Sequence, residues 1–173
     1  MTDKAERRAA ILNEHRVQLF LRVGAVTVAG GRAEYALQRL AHVLSGGSRW
    51  NNLDTTVPVD FSRLTAELRK LAATQPGNDV MRRIEELLDW AERKKLWLNR
   101  NNIVHADWLE PPSGGPMGRR LYRDDTLATI VGSHDDLDRL ANNLGELTRR
   151  VYALLDELTP EFRPAEWVWP DDL

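Results

Sequence analysis

A chain of 173 residues with 42% hydrophobic content can bury the core of one domain, and its length does not require a second. Its formal net charge of −2 provides no overall cationic field that attracts nucleic acid, so any RNA binding must depend on a local cluster of cations. The absence of cysteine excludes disulfides, thiolate catalysis and thiolate zinc sites, and it fits the reducing cytoplasm.

The first predicted element is a long or kinked helix from residue 3 to about residue 44. Its apolar residues recur at helical spacing, and no proline interrupts them. Those residues include Ile11, Phe20, Val28, Leu37, Leu40 and Leu44. The small residues of 24–31 predict a kink or a tight crossing with another helix. Charged side chains such as Glu14 and Arg22 interrupt the apolar run, so we predict neither export nor membrane insertion, and we expect a cytoplasmic protein.

Two further helices are predicted before residue 110. Asp60 is a suitable N-cap for a short helix that ends near Thr74, before a Pro-Gly pair. Asn78 or Asp79 can cap a third helix, whose apolar residues keep helical spacing to about Trp108.

The prolines and glycines of 111–116 end the third helix, and β-prone residues follow them. Residues 121–122 and 127–131 predict a small hairpin around a turn at 124–125. Ser133 and Asp136 have the spacing of a capping box, and they precede an amphipathic helix that runs to about Leu158. The predicted fold class is therefore all-α: a bundle of four main helices with a small β-hairpin before the last helix. Residues 1–160 form the helical domain, and 161–173 form a tail that contains Trp167 and Trp169.

A short segment near the end of the third helix carries the most specific pattern. Arg100 is followed directly by the polar Asn101 and, four positions later, by His105. This arrangement resembles the motif of the HEPN family: an arginine, a polar residue, a few further residues and a histidine. HEPN domains are helical bundles with the motif late on a long helix. The resemblance covers the helices of residues 5–158, although only the motif is specific.

The resemblance implies a metal-independent endoribonuclease that acts as a homodimer on an RNA substrate. It also implies a toxin or defence protein restrained by an antitoxin or another regulatory protein. The residue types suit this chemistry, because a histidine can accept and donate a proton near neutral pH, which assigns acid–base work to His105. A guanidinium can hold two phosphate oxygens in a fork, which assigns charge stabilisation to Arg100. Asn101 would orient the histidine or the phosphate.

Helical geometry adds a reason to expect a dimer. Asn101 and His105 are four residues apart and share a helix face, whereas Arg100 lies about 140° away from His105 around the axis. A site assembled across a two-fold interface removes the need for all three side chains to lie on one stripe.

Two basic clusters flank the motif in sequence and are candidate RNA-binding residues: Arg93, Lys94 and Lys95 before it, and Arg119 and Arg120 after it. The acidic residues beside His134 could suggest a metal cluster, but acids in the first turn of a helix are explained by the helix dipole. We therefore predict no metal site and no cofactor.

Two other interpretations remain open. The chain could be a non-catalytic HEPN-like module that binds protein or RNA, because fold alone does not establish catalysis. It could also be an antitoxin or immunity-like binder whose functional element is the Trp-containing tail, since exposed indoles favour a binding partner.

Overall fold

The computed structural model describes residues 2–47, 60–74, 77–109, 117–121, 126–131 and 133–160. Within these ranges the helices are α1 (Thr2–Leu44), α2 (Phe61–Ala73), α3 (Asp79–Arg93), α4 (Leu96–Val104) and α5 (His134–Leu158). The strands β1 (Asp107–Leu109), β2 (Met117–Leu121) and β3 (Leu127–Val131) form one antiparallel sheet in the order β1-β2-β3. The predicted all-α bundle with a small sheet before the last helix is confirmed. The tail of 161–173 lies outside the described residues.

The predicted helix starts are confirmed by their capping bonds. The Asp60 carboxylate accepts a hydrogen bond from the backbone N–H of Arg63 at 3.0 Å. The Asn78 side chain accepts one from the N–H of Val80 at 2.9 Å. These side-chain oxygens satisfy backbone donors that have no partner inside the helix.

The capping box at the start of α5 is complete. The Ser133 hydroxyl accepts a bond from the N–H of Asp136, and the Asp136 carboxylate accepts one from the N–H of Ser133. Asp136 also accepts a bond from Arg139, and Asp138 pairs with Arg22 of α1 at 3.1 Å. Asp136 therefore caps α5, as its spacing from Ser133 predicted, and Asp138 joins α5 to α1.

The prediction of one continuous helix to Trp108 is wrong in two places. Helix α3 ends at Arg93, and the chain turns at Lys94 and at Lys95, whose φ of 52° is left-handed. Helix α4 then runs only to Val104, and Trp108 belongs to strand β1. The break directs Leu96 and Ile103 into the core, where both side chains are buried. Tertiary packing thus overrides the good helix propensity of the two lysines.

The predicted hairpin is part of a larger sheet. Strands β2 and β3 pair with Arg119 opposite Thr129, and β1 adds a third strand with Trp108 opposite Gly118. The hairpin prediction began at Leu121, which is the last residue of β2; Tyr122 lies outside the described residues. The sheet follows α4 directly, so it lies next to the motif helix.

Helix α1 packs mainly on α5, and only some of the apolar residues named from the sequence lie on its buried face. Leu19, Val26, Ala33, Leu37 and Leu40 are buried. In contrast, Ile11, Phe20 and Val28, which the sequence analysis named among the apolar residues at helical spacing, are each more than half exposed. Among the described residues, no helix has both the length and the apolar character needed to cross a membrane.

Candidate functional site

Helix α4 carries the Arg-Asn-His motif, and it contacts α1, α3 and α5. Leu96 and Ile103 anchor α4 in the core. On the remaining surface of this helix, Asn101 is half-buried and His105 is exposed. Arg100 lies on the side of α4 that meets α1, so the motif spreads from an interior contact to open surface.

The Arg100 side chain is held in place by two acceptors. Its Nη2 atom is 3.2 Å from Oε2 of Glu34 on α1, and its Nη1 atom donates to Oδ1 of Asn101 at 2.9 Å. Only 17% of the Arg100 side chain and 21% of the Glu34 side chain are exposed. The guanidinium is therefore positioned in advance, with little freedom to move between rotamers.

A glycine makes room for this arginine. The aliphatic part of Arg100 crosses α1 at Gly30, where an added Cβ atom would lie 2.9 Å from Nε and 3.0 Å from Cγ. Contacts this short would force the arginine to shift. The tight crossing predicted within 24–31 is confirmed at this residue, and no break in α1 accompanies it.

Burial has the largest effect on the pKa of Glu34, the carboxylate that pairs with Arg100. Removal from water raises the pKa of Glu34 above its ordinary value; the positive charge of Arg100 lowers it, and Asp60 adds a smaller rise. The Nε–H of Arg100 is buried and has no hydrogen-bond partner in the described part of the chain. This Nε–H lies against Gly30 of α1 and is closed to solvent.

His105 is the C-cap residue of α4, directly after Val104, the last residue of the helix. Its backbone N–H donates to the carbonyl of Asn101 at 3.2 Å, and its φ of −103° and ψ of 9° end the helix. No described contact joins its imidazole to Arg100 or to Asn101. The structure therefore brings Arg100 and Asn101 together within one chain, and it leaves His105 separate on the surface.

The basic candidates take different positions around α4. Arg120 donates from Nη1 to Oδ1 of Asn102 at 2.8 Å, and Lys94 lines a groove together with Asn102. Arg93 and Lys95 are exposed at the turn between α3 and α4. Arg119 is exposed and precedes Arg120 on β2, so the alternation of a strand directs it to the other face of the sheet.

Gly30 and Glu34 are site residues that the sequence interpretation missed. It assigned the small residues of 24–31 to packing and left Glu34 as a solvated residue or a partner of Arg39. Arg39 instead bonds to the hydroxyl of Tyr35, at 2.9 and 2.6 Å. In the sequence Glu34 stands one turn after Gly30, but only the structure shows that it adjoins the buried Ala33, where an acid requires a cation.

A fixed guanidinium can bind an anion and an exposed imidazole can transfer protons, and phosphodiester chemistry needs both abilities. The described residues contain no group of three or more His, Asp or Glu side chains that could hold a metal ion. Comparison with known proteins found no matching family model, no matching curated protein and no matching solved structure.

Proposed function

We propose that this chain is a homodimeric, metal-independent endoribonuclease of HEPN type. The observation that carries the proposal is the state of Arg100. It is fixed by Glu34 and Asn101 over a glycine, and the exposed His105 directly follows the same short helix. As with HEPN toxins and defence proteins, we expect an antitoxin or another regulatory protein to restrain the activity in the cytoplasm.

The proposed reaction uses a hydroxyl group of the RNA as the nucleophile. The 2′-oxygen forms a bond to phosphorus while the bond from phosphorus to the 5′-oxygen breaks, which leaves a 2′,3′-cyclic phosphate and a 5′-hydroxyl. The proton of the 2′-hydroxyl passes to one imidazole, and the leaving oxygen takes a proton from another. A dimer supplies two copies of His105, one for each transfer. Arg100 stabilises the charge that develops on the phosphoryl oxygens.

The ion pair with Glu34 fixes the orientation of the Arg100 side chain. An arginine that is ordered before substrate arrives loses less side-chain entropy on binding phosphate, so more of the interaction stabilises the transition state. Asn101 shares this positioning role through its bond to Nη1.

The direct test is incubation of the full chain with a single-stranded RNA of mixed sequence in buffer that contains a chelator. We expect fragments that end in a cyclic phosphate and begin with a 5′-hydroxyl, identified by mass spectrometry. The matched substrate has the same sequence with every 2′-hydroxyl removed, and it should stay intact because it lacks the nucleophile. Cleavage of that substrate, or loss of RNA cleavage in the chelator, would contradict the mechanism.

The dimer has physical support in an exposed stripe on α1. Val17, Leu21, Val28 and Tyr35 are all more than 40% exposed, and with Gly24 and Gly31 they repeat at spacings of four and three. This is the spacing of a coiled-coil face, and both glycines border open space that permits close approach. Gly31 and Tyr35 directly follow the site residues Gly30 and Glu34. A second copy packed on this stripe would bring two motifs close together.

We expect the wild type to scatter light with twice the chain mass of 19.7 kDa at micromolar concentration. Val28→Glu places a charge on the stripe without touching the core, because Val28 is 55% exposed, and it should give single chains and lower cleavage. Ala153→Glu, at an exposed position of α5, is the matched control and should remain dimeric. A wild type with the mass of one chain at every accessible concentration would count against both the dimer and the shared site.

The competing function is a non-catalytic module that binds protein or RNA. The observation in its favour is that Arg100 is mostly buried in an ion pair, which also suits a purely structural role. If no RNA offered is cleaved, binding decides between the forms of this alternative. RNA affinity that disappears on replacing Arg93, Lys94 and Lys95 would favour an RNA-binding module, and the absence of any affinity would favour a protein partner.

A further inference from the structure

A groove of about 360 Å³ lies between α4, the sheet and the start of α5. Three asparagines line it, Asn99 and Asn102 from α4 and Asn143 from α5, and we call it the asparagine groove. Its apolar wall comes from Trp108 and from aliphatic side chains of α4, β3 and α5. Pockets of this size with an apolar wall and a few polar groups are typical of sites for small ligands.

The asparagines offer donors and acceptors to a ligand. The half-buried Asn143 has no hydrogen-bond partner in the portion of the chain described here. Asn99 uses its amide nitrogen in one long bond to the carbonyl of Lys94, at 3.4 Å, and its oxygen is not engaged there. A carboxamide presents a donor and an acceptor side by side, the pattern that reads the hydrogen-bonding edge of a nucleobase.

The Trp108 ring is held rigidly at the groove. Its indole N–H donates to the carbonyl of Ile103 at 2.9 Å. Across the sheet, a Cβ added at Gly118 would lie 3.5 Å from the ring, so the indole lies over a residue with no side chain. A fixed indole provides a face on which an unpaired base can stack.

The groove adjoins the candidate catalytic motif. Asn102 lines the groove and directly follows Asn101 in the chain, and His105 lies one turn after Asn102, although none of the three motif residues itself lines the groove. Lys94 at its edge can contact a phosphate. The one carboxylate of the lining, Asp136, is engaged by Ser133 and Arg139, which limits its repulsion of an anionic strand.

We propose that the asparagine groove binds one unpaired base of single-stranded RNA and makes the chain selective for that base. The identity of the ligand as RNA rests on the proposed ribonuclease function. The base stacks on Trp108, and the amides of Asn99 and Asn143 read its edge. The flanking phosphate then lies toward Arg100 and His105.

The test measures binding without cleavage. The four ribonucleoside 5′-monophosphates, which contain no phosphodiester to cleave, are titrated into the full wild-type chain by calorimetry, with ribose 5-phosphate as the probe that lacks a base. We expect at least one nucleotide to bind at least about tenfold more tightly than ribose 5-phosphate, because stacking and edge contacts add to phosphate binding. The indole N–H resonance of Trp108 should shift on binding.

Asn143→Leu should reduce the discrimination among the four nucleotides, since leucine keeps the volume and loses both polar atoms that read the base edge, whereas stacking on Trp108 remains. Asn142→Leu is the matched control, because Asn142 is exposed on the neighbouring position of α5 and does not line the groove. Four nucleotides that bind no better than ribose 5-phosphate would overturn the proposal, and so would a discrimination among the four nucleotides that Asn143→Leu leaves unchanged.

The outcomes separate this proposal from the ribonuclease proposal. Selective binding that Asn143→Leu reduces, in a protein that cleaves no RNA, would support the groove and contradict catalysis. RNA cleavage with no nucleotide preference, unchanged by Asn143→Leu, would support catalysis and overturn the groove.

Discussion

Replacing His105 by alanine is expected to lower the rate of RNA cleavage by a factor of about 10²–10⁴, the usual contribution of a general acid or base. In the proposed dimer the change removes both imidazoles, so the effect should lie at the upper end of that range. The fold should persist, because His105 is exposed at the end of α4 and its side chain has no partner among the described residues. Single-turnover cleavage and thermal unfolding would be measured on the same preparation.

His15→Ala is the matched control for this variant. His15 is also exposed and helical, but it lies on α1 before the exposed apolar stripe begins. The His15→Ala variant should cleave RNA at the wild-type rate. Cleavage by His105→Ala at that rate would exclude the imidazole from the mechanism, and an equal loss in both variants would point to a general effect of replacing a surface histidine.

Replacing Arg100 by alanine should lower cleavage by a factor of about 10²–10³, the usual effect of deleting one group that stabilises the charge of a transition state. Arg100→Lys should recover only part of the rate, because an ammonium group cannot form the fork of a guanidinium. Arg100→Ala also leaves the half-buried Glu34 without its cation, so we expect a loss of unfolding free energy of about 1–3 kcal/mol.

A double variant separates the catalytic role of Arg100 from its structural role. Arg100→Ala with Glu34→Gln removes the unpaired carboxylate, so it should regain much of the lost stability. Cleavage should not return, because the charge partner of the phosphate is still missing. Recovery of cleavage together with stability would mean that Arg100 only holds α4 against α1.

Gly30→Ala tests the position of the Arg100 side chain without replacing a residue of the motif. The new Cβ displaces Nε and Cγ of Arg100, whereas alanine suits a helix interior better than glycine by about 0.5–1 kcal/mol. Cleavage should therefore fall, while the gain in helix propensity offsets part of the stability lost from the disturbed Arg100–Glu34 pair. Gly145→Ala in α5 is the matched control, since a Cβ there meets open space. Equal cleavage rates in the two variants would show that the packing of Arg100 on Gly30 does not matter for catalysis.

The sequence by itself determined the local features of this protein. The caps at Asp60, Asn78 and Ser133 depend on side chains and backbone donors two or three residues apart, so their spacing predicted them correctly. The strong apolar periodicity of the last helix predicted α5 for the same reason. The motif residues were also recognisable, because their order along the chain carries the pattern.

Only the tertiary structure decided which residues meet. The ion pair of Arg100 and Glu34 joins positions 66 residues apart, and the small volume of Gly30 has meaning only where α4 crosses α1. The break at Lys95 is likewise decided by packing, because lysine favours a helix and the turn forms where Leu96 is drawn into the core. Ile11, Phe20 and Val28 had helical spacing but lie outside the core, since periodicity identifies an apolar stripe and not the element that covers it. Such contacts depend on how whole elements pack, and no local pattern of residues encodes that packing.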